Sequence, residues 1–386
     1  MTYPHHFTLP AEILEQIAQE GLEYIPQIIE QLMNVAMKAE REQYLRAGTY
    51  ERKEEREGYA NGYKPKTLQT RLGKLKLAVP QVREGGFYPE ALEKGLRSER
   101  ALLTICAEMY VNGVSTRKVS HVVERTFGCE ISASQVSRAT AELDEKLQEW
   151  RNSALGEVIY LYLDARYEKI RENGGIREAA VLIATGVLAN GKRKVLGVSV
   201  SLSEQSQHWK AFLENLVRRG MRGVQLIISD DHSGLKAARQ AILGGIPWQR
   251  CQFHLQQNAQ AYVPKKSMQE DVARDIRTIF DAPDREKADT YLKDVIEKYA
   301  HSAPKLADWL ESDLSEGLTV FSFPAAHRKR IRTNNGIERL NREILRRTKV
   351  VSIFPNEASC LRLISAILVE TSDEWESGKT YLKMES

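Results

Sequence analysis

The sequence predicts an α/β core, a mixed five-stranded sheet flanked by helices. An all-helical insertion interrupts that core, and a mainly helical N-terminal region with a small β-hairpin precedes it. Three observations carry this reading. Apolar periodicity changes from helical to two at residue 157. From there the elements run β-β-β-α-β-α-β, an antiparallel trio followed by helical crossovers, which place a mixed sheet between helices. Finally, 257–320 is charged and helical, and too long for a single crossover between the two parts of the core.

In chain order, 11–45 sets Ile13, Ile17, Leu22, Ile25, Ile29, Leu32 and Val35 at roughly helical spacing. That stripe suits packing on the same chain or on a second copy. Residues 58–86, "GYANGYKPKTLQTRLGKLKLAVPQVREGG", alternate apolar and polar residues on both sides of Gly73 and read as a small basic β-hairpin. Next come "SERALLTICAEMYVNG", "VSTRKVSHVVERTFG" and "CEISASQVSRATAELDEKLQEW", each a helix, with Ser115 and Ser132 where N-caps belong. That layout is a helix-turn-helix, or equally an ordinary helical bundle. A helix-turn-helix would present Ser134, Gln135 and Arg138 from its last helix, with Arg117 and Lys118 on the helix before.

In the core, "EVIYLYLDARYEKI" is a strand through Asp164, and "REAAVLIATGVLANGKRKVLGVSVSL" is two strands around Asn190-Gly191, a strong hairpin signal. "SEQSQHWKAFLENLVRRG" is an amphipathic helix, and "VQLIISDD" a buried strand ending at Asp230 and Asp231. "SGLKAARQAIL" is a helix, "WQRCQFH" a further strand, and 357–376 a closing helix. The expected boundaries are 1–55, an N-terminal helical region with possible dimerisation; 56–97, the hairpin; 98–152, the helix-turn-helix; 153–258, the first part of the core; 259–326, the insertion; and 327–386, the rest of the core.

With 386 residues, 42% hydrophobic and 28% charged, the composition is that of a soluble globular protein of two or three domains. No apolar run is long enough to cross a bilayer, and the N-terminus lacks a signal-peptide layout. Cys106, Cys129, Cys251 and Cys360 are scattered without CxxC pairing, which argues against a disulfide framework. A cytoplasmic, nucleoid-associated protein with no membrane partner is expected.

The charge is concentrated. Between Arg328 and Lys349 nine Lys and Arg face two Glu, +7 locally against +4 for the whole chain. A patch of that density binds a polyanion. Arg328, Lys329, Arg330, Arg332, Arg339, Arg342, Arg346 and Arg347 are its candidate phosphate contacts, although a solvated helix face would look the same. Glu338 inside it needs its own reason. Asp164 and Asp230 (or Asp231) end or sit in strands, and Glu338 starts a helix. Three carboxylates so placed can hold two Mg²⁺ or Mn²⁺ ions about 3.5–4 Å apart for phosphodiester chemistry. The plainer readings are a capping box for Asn335 and Glu338, an ion-paired core Asp164, and a turn-starting Asp230.

Several long motifs also carry a resemblance. "GYANGYKPKTLQTRLGKLKLAVPQVREGGF", "EMYVNGVSTRKV", "ISASQVSRATAELDE", "YLDARY", "SDDHSGLKAA", "QRCQFHLQQN" and "RTNNGIERLNREILRRTKVVSIFPNEAS" resemble the Mutator family of bacterial insertion-sequence transposases, from about residue 40 to about 376. The resemblance implies an RNase H-like core and a DDE triad of Asp164, Asp230 and Glu338 binding two divalent metals. It aligns the second aspartate with Asp230 and leaves Asp231 at a variable position. Residues 113–150 would belong to the DNA-binding region. Cys251 and His254 resemble the family's Cys-x-x-His signature, but two ligands fall short of the four of structural zinc. A packing and hydrogen-bonding role near the active site is expected for them, with DNA contact also open. The resemblance implies that His232 supports the metal-binding residues from behind, its plainer reading being a helix-start histidine. Thr333-Asn334-Asn335 departs from the Thr-Thr-Asn of many relatives and keeps capping capacity.

The implied activity is recognition of terminal inverted repeats, metal-dependent strand cleavage, and strand transfer into target DNA, by a homodimer on paired ends. A metal-dependent nuclease or resolvase on the same fold would share the triad without joining ends. A non-enzymatic helix-turn-helix regulator would need no triad at all.

Overall fold

In the computed structural model the described residues are 11–48, 51, 55–83, 86–92, 94, 97–141, 144–202 and 205–384. The chain divides into two compact units, Met1–Glu142 and Leu143–Ser386.

The first unit runs α1 (Ala11–Glu20), α2 (Ile25–Tyr44), β1 (Ala60–Thr70), β2 (Gly73–Val82), α3 (Arg100–Val111), α4 (Thr116–Phe127) and α5 (Ala133–Ala141). Strands β1 and β2 pair antiparallel from Thr70↔Gly73 outwards, as the alternation about Gly73 predicts. Met37 of α2 packs with Leu75, Leu77 and Val79 of β2. Glu30 and Asn34 of α2 also accept the amides of Lys76 and Ala78, so the helix covers an edge that would otherwise be open. Only part of the N-terminal stripe is used there. Ile29 joins that cluster, whereas Leu32 and Val35 are exposed; the side chains of Ile13 and Leu22 lie outside the described residues.

Leu102, Val119, Val123, Ile131 and Val136 bring α3, α4 and α5 together. Ser115 caps α4 through the Lys118 amide. Ser132 and Gln135 form a reciprocal capping box: Ser132 Oγ accepts from the Gln135 amide, and Gln135 Oε1 accepts from the Ser132 amide.

The second unit opens with α6 (Asp144–Asn152), read from sequence as part of the preceding helix. It packs instead on the last helix of the chain, where Arg362 binds Asp144 and Arg151 binds Ser365. There follow β3 (Val158–Glu172), β4 (Gly175–Leu188), β5 (Arg193–Ser201), α7 (Ser206–Arg218), β6 (Leu226–Ser229), α8 (Ser233–Leu243), β7 (Trp248–Arg250) and α9 (Gln252–Ala259). Helices α10 (Gln269–Phe280), α11 (Arg285–Tyr299) and α12 (Pro304–Asp313) form the insertion, and α13 (Ala325–Ile331), α14 (Asn335–Thr348) and α15 (Glu357–Ser377) close the chain.

Among the described residues the sheet has the order β5-β4-β3-β6-β7, with β3, β6 and β7 parallel and the β4 pairings antiparallel. Both hairpins turn on Asn-Gly. The expected one is at Asn190-Gly191, and the other, between β3 and β4, uses Asn173 and Gly174, each with positive φ as a two-residue turn requires. The seventh strand is shorter than "WQRCQFH" suggests. The Gln252 amide bonds to the Arg332 carbonyl instead of a neighbouring strand, and the chain turns into α9 at Cys251.

The two sheet faces are distinct. Leu161, Leu163 and Ile227 pack with Trp209 and Phe212 of α7 and Leu235 of α8. Tyr160, Tyr162, Leu226 and Ile228 face the insertion helices and Ile331 and Ile337. The alternation of β3 thus turns its even-numbered residues, Asp164 included, toward the second layer.

Candidate functional site

Residues 327–354 run along β3 and are tied to it at successive even positions. The Tyr160 hydroxyl meets His327 Nδ1 at 2.7 Å, and the Tyr162 hydroxyl donates to the Arg330 carbonyl at 3.2 Å. Asn334, fully buried, donates from Nδ2 to the Leu163 carbonyl at 3.1 Å. Asn341 Nδ2 donates to Asp164 Oδ2 at 2.9 Å, and Arg166 donates to the Asn341 carbonyl. Thr348 donates to Glu168 at 3.0 Å. Asn334, Glu338 and Asn341 are spaced i, i+4, i+7 and share one face of α14. That face meets β3.

The register of β3 against β6 pairs Tyr160 with Leu226 and Tyr162 with Ile228. Asp164 and Asp230 each stand two residues beyond that last pair, Asp164 within β3 and Asp230 just after β6. Asp230 Oδ1 accepts the Asp231 amide and lies 3.8 Å from His254 Nδ1. Cys251, His254 and Glu338 present potential ligand atoms all within 4.8 Å of one another. Asp164, Asp230 and Glu338 do not form so tight a group among the described residues, nor need the ligands of two ions about 3.5–4 Å apart do so.

Glu338 does not cap its helix. Asn334, not Asn335, is the residue before α14, and its side chain is spent on β3. Glu338 lies one residue beyond the capping-box position, and its Oε1 is buried without a hydrogen-bond partner among the described residues. His254 Nδ1 is in the same condition. Buried polar atoms are rarely left so, and the exceptions call for a ligand or a chemical role. Carboxylate oxygens from a strand, a strand end and a helix are a donor set that suits a hard divalent cation. Cys251 suits it less. Burial pushes its thiol up to about 11, and its sulfur accepts the Asn334 amide at 3.4 Å, so it serves as packing that anchors the start of α14. His232 immediately precedes α8 and is half-buried.

The neighbouring aspartate goes elsewhere. Asp231 ion-pairs with Arg250 at 3.2 Å and Lys236 at 3.3 Å. Arg250, almost fully buried, also reaches Asp313 and Glu316, both at 3.0 Å, and so joins the sheet to the insertion. Of the two aspartates Asp230 is therefore the one with no Lys or Arg partner among the described residues.

The basic segment divides in the same way. Arg328 donates to the carbonyls of Pro283, Phe321 and Phe323. Arg332 pairs with Asp281, Arg346 with Glu343, and Arg347, nearly buried, with Glu343 and Glu370. These four guanidiniums already have partners, Arg347 most completely, while that of Arg346 stays largely exposed. Lys329, Arg330, Arg339 and Arg342 are exposed and have no ion pair among the described residues. In the first unit Ser134, Arg138, Arg117 and Lys118 are exposed, while the side-chain oxygen of Gln135 is committed to its capping box.

Sequence reasoning missed Asn334, Asn341 and Arg250. The Asn-Asn-Gly run ahead of the helix was the available signal for the first; nothing local marks the other two.

Over residues 1–378 the chain matches the family described as "Transposase, Mutator family". It is 55% identical to the transposase for insertion sequence element IS406 of Burkholderia multivorans, over 95% of each chain. It is 43% identical to that for ISRM5 of Rhizobium meliloti, over 93% of this chain and 90% of that one. The transposase for IS256 in transposon Tn4001 of Staphylococcus aureus is 36% identical over 98% of this chain and 99% of its own. On these matches the chain belongs to the Mutator family of transposases.

Proposed function

We propose that this protein is an insertion-sequence transposase of the DDE type, with an RNase H-like core in which Asp164, Asp230 and Glu338 hold two Mg²⁺ or Mn²⁺ ions. One observation carries the reading: Glu338 presents a buried carboxylate oxygen without a hydrogen-bond partner, from a helix locked onto the face of β3 that bears Asp164. The sheet order, and the position of Asp164 and Asp230 two residues beyond the same β3–β6 pair, support it.

Asp164, Asp230 and Glu338 would hold the ions, whose bound chemistry would be activation of the attacking oxygen and stabilisation of the leaving one. Asn341 and the Ala165 amide orient the Asp164 carboxylate, and the Asp231 amide orients that of Asp230. In cleavage a water oxygen bonds to phosphorus, the P–O3′ bond breaks, and a 3′-hydroxyl is released. In joining, that 3′-hydroxyl attacks a target phosphodiester and one target P–O bond breaks, so the number of phosphodiester bonds is conserved. The first unit reads the terminal inverted repeats through Ser134, Arg138, Arg117 and Lys118, and two copies act on paired ends in the cytoplasm, at the nucleoid.

The test is incubation with the element's own end DNA and Mg²⁺. Asp164→Asn, Asp230→Asn and Glu338→Gln lose cleavage by roughly 10³-fold, about 4 kcal/mol of barrier, with DNA binding retained. Asp231→Asn keeps cleaving. Wild-type cleavage by Asp164→Asn would refute the proposal. A pre-cleaved end that yields no joined product would favour the nuclease reading.

A further inference from the structure

Three of the four cations that the basic segment leaves without an ion pair among the described residues converge on a cleft of about 590 Å³ at the start of α14. Lys329, Arg330 and Arg339 line it, joined by Arg193 from β5 and Lys379 from beyond α15, against a single carboxylate, Glu374. Arg193 is the unusual member. Its guanidinium lies 3.9 Å from the centre of the Trp375 ring and 4.5 Å from that of Tyr381, half-buried, with no carboxylate partner among the described residues. Burial lowers its pKa; Tyr381 and Tyr162 oppose that shift, and the neighbouring Arg330 and Arg339 add to it.

Its position compounds the problem. Arg193 Nη1 is 3.6 Å from where a Cβ on Gly336 would stand, so a cation is held against the first turn of a 14-residue helix. That end carries a partial positive charge and unsatisfied amides. No side chain caps it, because Asn334 is bonded to β3. Positive is thus set against positive unless an anion lies between them. Gly336 also leaves room for one to approach the backbone.

We infer that this cleft is a seat for a backbone phosphate of the DNA strand, held between Arg193, Lys379 and the amides that begin α14. This rests on the proposed function and extends it. Glu338 lies within the first turn and a half of the same helix, so a phosphate gripped there fixes the strand relative to that carboxylate. Trp375 and Tyr381 take no part in the contact; their rings hold the guanidinium in place.

Anisotropy with a fluorescent duplex oligonucleotide, in EDTA and across a salt series, tests the cleft apart from the chemistry. Arg193→Gln weakens binding by about tenfold, and both it and Lys379→Gln lower the salt slope by about 0.9, the value for one lost phosphate contact. Lys379 is exposed, so its loss leaves folding intact; circular dichroism checks the Arg193 variant. The four native cysteines are buried, so Thr380→Cys adds an accessible thiol, expected to cross-link a duplex carrying a thiol-tethered phosphate. Unchanged affinity and slope in both cleft variants, or no cross-link, would overturn the inference. Triad-dependent cleavage would still stand in that case. A wild type that bound no duplex would sink the functional reading itself.

Discussion

Two acidic groups lie close to β6, and they have opposite fates. Asp231, Asp313 and Glu316 bring ligand atoms within 4.8 Å of one another, and by that measure alone they are a tighter candidate metal site than the carboxylates of β3, β6 and α14. Yet Arg250 and Lys236 already neutralise them. Asp230 and Glu338 have no Lys or Arg partner among the described residues; amides orient the carboxylates of Asp164 and Asp230, and one oxygen of Glu338 is left without a hydrogen-bond partner. Carboxylate density marks an acidic cluster. Under the proposed function, Asp230 and Glu338, which lack a compensating cation among the described residues, are carboxylates that a metal would neutralise.

The comparison breaks most visibly at Arg250. Arg250→Met removes the shared cation and leaves three carboxylates facing each other across the junction of sheet and insertion. Removing one partner of a buried pair typically costs 3–5 kcal/mol. Here the acids are partly exposed, so about 3 kcal/mol is expected, read as a lower urea midpoint with an unchanged slope. A midpoint within error of wild type would mean that the network holds nothing together.

A smaller effect sharpens the contrast. Glu316→Gln takes a charge from the compensated group and should lower stability by about 1 kcal/mol, with cleavage kept. Glu338→Gln takes a charge from a buried oxygen without a partner, and its thermal midpoint should match or exceed that of wild type while cleavage is lost. Equal destabilisation by both substitutions would place Glu338 among the structural ion pairs.

How much of this was legible in the sequence depends on the range of the interaction involved. The change to period two, the Asn190-Gly191 turn and the aspartates within or just after strands are local patterns, and the fold follows them. Asn173-Gly174 was equally local and was missed. The capping box was assigned to Asn335 and Glu338, whereas the one observed in full is at Ser132 and Gln135; the two share their spacing and differ in that Asn334 finds a carbonyl on β3. That bond spans more than 170 residues, and no periodicity encodes it. The basic segment teaches the same lesson. Its density was plain, but which guanidiniums are engaged depends on Asp281, Glu370 and the carbonyls of Pro283 and Phe321, which are distant in sequence and adjacent only in space.

The weakest test lies on α14 itself, where Glu343 stands five residues from Glu338. The hydrogen bond from Arg346, reinforced by Arg347, outweighs partial burial and holds the Glu343 carboxyl down at about 2. A carboxyl depressed in the folded state contributes stability that is fully present above its unfolded pKa and fades as pH falls through the folded one. The window therefore runs from about 4.5 down to about 2. The carboxylate is one-third exposed and Arg346 mostly so, so solvent and salt screen the pair. Glu343→Gln should cost only about 0.5 kcal/mol near neutrality, with the difference from wild type closing across that acid window and shrinking in added salt. If the difference persisted at the bottom of the window, Glu343 would be acting through packing, and the division of α14 into one compensated and one uncompensated glutamate would lose its electrostatic basis.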